Sequence, residues 1–153
     1  MRTDAREQAY VEFVTARQTH LRRIAYAICG DWDRADDLLQ AALVKLYVAW
    51  PRVQRLGSED AFVRRIIVRA NVDEHRGSGR HQIPGAEGHG GATLFEALQA
   101  LPAVQRKTVV LRHWLGLSVE ETAEELGISP GSVRSHASRA LASLHVAQSR
   151  EAR

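Results

Sequence analysis

The stretch GSGRHQIPGAEGHGG, residues 77 to 91, constrains the fold more than any other part of the chain. It holds six glycines and one proline among few large apolar side chains. Such a segment cannot bury enough surface to offset the chain entropy lost on ordering. It is expected to be a flexible linker over 77–92 that divides the 153 residues into two small domains, 1–76 and 93–153.

Both flanking segments carry a helical period. Apolar residues recur three and four apart, and Val, Ile and Thr do not alternate with polar residues for long. The fold class is therefore all-α. A first helix is expected from Asp4 to Ile28, with Tyr10, Phe13, Leu21, Ile24 and Ile28 on one stripe and Gly30 at its end. Asp33 can cap a second helix to Ala49, stopped by Pro51, with Asp36 and Asp37 in its first turn where the helix dipole favours them. Ser58 would cap a third, Glu59 to Arg76.

After the linker, Thr93 and Glu96 form a capping-box pair for a short helix, and Pro102 opens another that runs to Trp114. Ser118 and Glu121 repeat the capping box for a helix ending at Leu126, and Ser129 with Pro130 opens the last. The second unit is thus a four-helix bundle.

Its end, SVEETAEELGISPGSVRSHASRAL (118–141), has the spacing of a helix-turn-helix. Ala123 is small where two helices cross, Gly127 marks the turn, and Val133 anchors the second helix. That second helix would present Ser132, Arg134, Ser135, His136, Ser138 and Arg139, and no acidic residue occurs from Ser129 to Leu144. Arginine donates to guanine edges and phosphates, serine to phosphate oxygens. Glu120, Glu121, Glu124 and Glu125 cluster on the preceding helix, a segregation of sign that an ordinary solvated hairpin would not need. The net charge of +3 permits an anionic partner without demanding one, so this distribution carries the inference.

With DRADDLLQAALVKLYVAWPRV (33–53), AFVRRIIVRANVDEHR (61–76), the linker and the terminal helix-turn-helix in that order, the chain resembles the extracytoplasmic-function (ECF) group of bacterial sigma-70 factors, near an actinobacterial subgroup. The resemblance covers almost the whole chain. It implies that residues 1–76 form a region 2-like domain that binds core RNA polymerase and melts the minus-ten element. It also implies that residues 93–153 form a region 4-like domain reading the minus-thirty-five element through the six residues named above. The polymerase contacts it implies are Asp36, Asp37, Gln40 and Lys45, supported by Leu39 and Leu43. For the melted strand it implies Arg64, Arg65, Arg69 and Arg76 for charge, and Asn71 and His75 for hydrogen bonding, which suits unstacked bases in a cationic groove. Trp50 and Phe62 are flat rings able to stack, although Phe62 is better assigned to the core. Core polymerase and promoter DNA are the implied partners, with an anti-sigma factor as a further one common in the group. The chain departs from the pattern at Ala41, where relatives often carry an acid, and at Arg69, where they often carry asparagine.

No catalytic constellation stands beside these motifs, so no enzyme is expected. GSGRHQIPG lacks the lysine–hydroxyl ending of a phosphate loop. His81, His89 and the other histidines lack zinc-ligand spacing. No cofactor, metal or small-molecule substrate is expected. Asp4, Arg6 and Glu7 stand where a signal peptide would need an apolar run, and no stretch approaches the roughly 18 apolar residues of a membrane span. The single cysteine, Cys29, cannot form an internal disulfide and fits a reducing cytoplasm. Two other readings stand beside it: a DNA-binding regulator that is not a polymerase subunit, which would carry an N-terminal phosphoacceptor or ligand domain of alternating strands and helices, and an adaptor that binds polymerase or another protein without DNA, against which the Arg-rich third helix argues.

Overall fold

A computed structural model describes residues 2–71 and 93–151, all of their regular structure helical. The expected linker 77–92, with His75, Arg76, His81 and His89, lies outside the described residues.

Three helices make the first unit. α1 (Arg2–Cys29) ends at Gly30, whose φ of 78° is open to glycine and whose N–H returns to the Tyr26 carbonyl at 2.7 Å. α2 (Trp32–Leu56) is capped by Asp31 rather than Asp33: the Asp31 carboxylate accepts from the Asp33 and Arg34 amides at 2.8 and 3.3 Å. It also runs straight through Pro51, against expectation, and stops only at Gly57 with φ 64°. An interior proline forfeits one helical hydrogen bond, but Trp50 and Val53 beside it are buried, and their packing keeps the helix whole.

α3 (Glu59–Arg69) is shorter than the expected Glu59–Arg76. At Ala70 the backbone turns extended (ψ 144°), and its carbonyl receives Lys107 Nζ at 2.9 Å while the Asn71 carbonyl receives Arg34 Nη2 at 3.1 Å. Side chains from elsewhere thus take up backbone acceptors that a further turn would have used. Ser58 makes no side-chain cap bond to α3.

The second unit contains α4 (Leu94–Gln99), α5 (Ala103–Val109), α6 (Val119–Leu126) and α7 (Pro130–Glu151). Thr93 caps α4 as expected, its hydroxyl accepting from the Glu96 amide at 3.1 Å. Pro102 occupies the cap position of α5, which widens into a π-helical turn over Val110–Trp114.

The two units share one core. Leu21, Ile24 and Ile28 of α1, Leu39, Leu46 and Trp50 of α2, and Val63 and Ile67 of α3 form a cluster that continues into Val110, Leu111 and Leu117. At this seam Arg106 is 1% exposed. Its Nε donates to the Ile28 carbonyl at 2.6 Å, and its Nη1 to the Leu101 and Gln99 carbonyls at 2.8 and 3.3 Å. Gln99 Nε2 donates to the neighbouring Ala27 carbonyl at 2.6 Å. The last turn of α1 leaves carbonyls without intrahelical partners, and its partial negative charge favours a cation. The second unit supplies both a cation and an amide. Gly30 lets them approach, since a Cβ there would fall 2.6 Å from Gln99 Oε1.

Replacing Arg106 by alanine strands the Ile28 and Leu101 carbonyls, so Arg106→Ala is expected to lower the unfolding free energy by about 3 kcal/mol, roughly two charge-assisted hydrogen bonds. Urea unfolding followed by circular dichroism reads this directly. A change below about 0.5 kcal/mol, the size of an ordinary surface substitution, would contradict the role given to the seam.

Candidate nucleic-acid and polymerase interfaces

The helix-turn-helix is built as its sequence suggests. Ser118 Oγ accepts from the Glu121 amide at 3.0 Å, and the Glu121 carboxylate accepts from the Ser118 amide at 2.8 Å. These bonds, the backbone one foremost, hold the Glu121 carboxyl below the usual glutamate range. Gly127 turns the chain with φ 71°, and the Gly127 and Ile128 amides both return to the Ala123 carbonyl, at 2.8 and 3.1 Å. Ser129 then opens α7 by accepting from the Ser132 amide at 3.1 Å. Ala123 and Val133 are buried between the helices.

All six residues expected to face DNA lie on α7, and Arg134, Ser135, Ser138 and Arg139 are exposed there. Ser132, His136 and the neighbouring Ala137 are half-buried; Ser132 is tied to Ser129 through a 3.0 Å hydroxyl contact, and His136 Nδ1 is buried without a hydrogen-bond partner. The outer face of α7 is therefore narrower than the sequence suggested, two arginines and two serines.

The outer face of α2 carries Asp37, Gln40 and Lys45, all exposed. Asp36 is half-buried and bound by Arg22 at 2.6 and 3.3 Å, which holds its carboxyl below the usual range. The same guanidinium lies 4.2 Å from the Trp32 ring centroid. Leu39 and Leu43 belong to the core, so they support this face from beneath. Sequence reasoning missed Val44 and Val48, which are 63% and 77% exposed on the same stripe as Asp37, Gln40 and Ala41. Their signal was present: residues 37, 40, 41, 44, 45 and 48 recur at helical spacing opposite the core positions.

The arginines of α3 are placed together, but they face α6. Arg64 Nη2 pairs with Glu125 Oε1 at 2.8 Å, their side chains 20% and 6% exposed. Arg69 Nε donates to the Glu125 carbonyl at 2.8 Å and its Nη2 to the Glu124 carbonyl at 2.7 Å. Arg65 approaches Glu124 at 3.9 Å in a more open setting. The acidic cluster of α6 thus has two of its members against the basic cluster of α3. Asn71 lies just past the end of α3, exposed. Trp50 cannot stack on a base: it is 3% exposed and set edge-on to Tyr10 at 5.5 Å. Phe62 packs on the core, as expected.

Among the described residues, no group of three histidine, cysteine or acidic side chains could hold a metal ion, and no helix is long and apolar enough to cross a membrane. Cys29 is half-buried with Sγ 3.3 Å from the Asp31 carbonyl, and burial raises its thiol pKa, the opposite of what a reactive cysteine needs.

Comparison with known proteins divides the chain at the same place. The family model described as Sigma-70 region 2 matches residues 13–81, and that described as Sigma-70, region 4 matches residues 92–144. The RNA polymerase sigma-E factor of Streptomyces coelicolor is 36% identical over 147 residues, 88% of this chain and 83% of that protein. The ECF RNA polymerase sigma factor SigD of Mycobacterium tuberculosis is 33% identical over 126 residues, 70% of this chain and 59% of the relative. Among solved structures, the sigma factor RpoE of Bartonella quintana, in complex with the anti-sigma factor NepR, superposes with a TM-score of 0.71 over 93% of this chain and 98% of that one, at 22% identity. That last likeness is one of fold.

Proposed function

The chain belongs to the ECF group of the sigma-70 family, and on that premise we propose that its exposed faces divide the work of starting transcription at a promoter. A sigma factor is a specificity subunit of RNA polymerase and not itself an enzyme; it directs initiation, and the polymerase performs the chemistry.

In this division, the α2 face of Asp37, Gln40, Val44, Lys45 and Val48 docks on core polymerase, with Asp36 at its edge and Leu39 and Leu43 beneath. The exposed apolar pair supplies burial, and the charges fix orientation. Arg64, Arg65 and Arg69 of α3, with Asn71, His75 and Arg76 beyond it, hold the melted minus-ten strand. Arg134, Ser135, Ser138 and Arg139 of α7 read the minus-thirty-five element from the major groove, with Ser132 and His136 at the margin. The observation that supports this reading best is the outer face of α7: a rigidly capped helix whose arginines and serines have no acidic neighbour from Ser129 to Leu144. The site of action is the cytoplasm, where polymerase and promoters are. An anti-sigma factor is a further partner; the Bartonella quintana protein is complexed with one. A regulator outside the polymerase is the weaker reading, because it leaves the region 2 match and the α2 face without use.

Run-off transcription with purified core polymerase and a promoter library tests the reading as a whole: specific initiation is expected, and none at any promoter contradicts it. Two substitutions test the division. Val48→Asp should weaken core binding at least about tenfold with helicity unchanged, since it places a charge in the apolar centre of the interface; full core affinity in a folded variant would remove α2 from the interface. Arg139→Ala should lower upstream-element discrimination by about 1–3 kcal/mol if it reads a base, or flatten the salt dependence of binding if it holds a phosphate. A variant with unchanged selectivity and salt slope would exclude both roles.

A further inference from the structure

A cavity of about 960 Å³ opens between the two units, at the upper end of the roughly 300–1,000 Å³ usual for small-molecule sites. No residue assigned above to polymerase or DNA lines it. Tyr26 of α1, Phe95 and Leu98 of α4, Trp114, and Leu141 and Leu144 of α7 supply its apolar walls. The Tyr26 ring is stacked between Trp32 at 3.7 Å and Phe95 at 4.7 Å, so one wall is built from both units. The π-helical turn Val110–Trp114 lines the same cavity. There the Leu115 amide donates to the Val110 carbonyl five residues back at 3.0 Å, a rare helix geometry that recurs at functional sites. Trp114 is left 48% exposed, and Leu94 and Leu141 beside the cavity are 56% and 43% exposed. Contiguous apolar surface left in water marks a binding site.

The polar lining says what fits. Arg23 of α1, His113 of the π-helical turn and His145 of α7 bring nitrogen donors from three elements, all of them exposed. Among the described residues that line the cavity, none is acidic. A guanidinium with no carboxylate beside it suits a pair of anionic oxygens. We infer that this cavity binds a single-chain amphiphile with an anionic headgroup, a carboxylate or a phosphate. Its apolar chain lies among Tyr26, Phe95 and Leu144, and its headgroup meets Arg23, His113 and His145. Such an occupant meets two demands at once: it takes the exposed apolar walls out of water, and it gives the guanidinium a charge-assisted partner. A wholly apolar occupant meets only the first.

The test titrates the full chain with decanoate, decyl phosphate and decanol, each kept monomeric, by isothermal titration calorimetry. At least one of the two anions should bind saturably, one molecule per chain, and the tighter of the two names the headgroup. Decanol should bind at least about tenfold more weakly, having lost the charge-assisted contact. Two variants at exposed positions, checked for unaltered helicity by circular dichroism, divide the site. Arg23→Gln should weaken the anions about tenfold and leave decanol unchanged, and Leu141→Trp, which fills the cavity, should weaken all three at least about tenfold. Absence of saturable binding by both anions overturns the assignment. Decanol binding as tight as the anions, or anion binding untouched by Arg23→Gln, also overturns it and marks an apolar groove suited to a protein helix. Anion binding lost in Arg23→Gln but kept in Leu141→Trp places the ion on the open surface and overturns the cavity. Sedimentation of the ligand-free chain adds the last arm: a dimer that Leu141→Trp disperses would give this face to a second copy instead.

Discussion

A buried guanidinium, that of Arg106, joins the two halves of this molecule. It donates to carbonyls of both units, Ile28 at the end of α1, and Gln99 at the end of α4 with Leu101 just after it. The chemistry is that of a helix end: the last turn of α1 needs its acceptors satisfied and welcomes positive charge. Around it, the leucines and isoleucines of α1 close over Val110 and Leu111, so the polar cluster sits inside a continuous apolar core. Which faces are open follows from that seam, because it sets α6 against α3 and leaves α7 turned outward.

The contacts between the units differ in how fully their polar groups are satisfied. The Arg106 bonds to Ile28 and Leu101 are short, and the apolar cluster beside it gains from burial in the ordinary way. At the α3–α6 edge the balance is different, since a carboxylate oxygen and a guanidinium nitrogen are dry and unmatched.

What was legible in the sequence was local. The capping box at Ser118–Glu121, the glycine turns at Gly30 and Gly127, and the small-residue crossing at Ala123 depend on neighbours within a turn or two, and each formed where the pattern placed it. The helix-turn-helix and the all-helical class followed. What failed depended on distant residues. Pro51 stays helical because Trp50 and Val53 are buried in the shared core rather than because of any flanking signal. The third helix ends at Arg69 where Lys107 and Arg34 take the next carbonyls, and no propensity at Ala70 announces that. Along the chain, Glu124 and Glu125 stand as a contrast to the basic α7, whereas in the fold they meet Arg64, Arg65 and Arg69, 55 to 61 residues away for the hydrogen-bonded pairs. Two clusters of opposite sign, each on one helical face, were in plain view; only the fold could say that they touch.

Small-angle X-ray scattering on the free protein tests most directly whether the two units pack as one body around the shared core. A globule of 153 residues packed as one body has a radius of gyration of about 15 Å. The predicted result is a value near that, with a single-peaked distance distribution. A radius above about 20 Å with two resolved maxima, the signature of two small lobes on a tether where one globule would give about 15 Å, would contradict it.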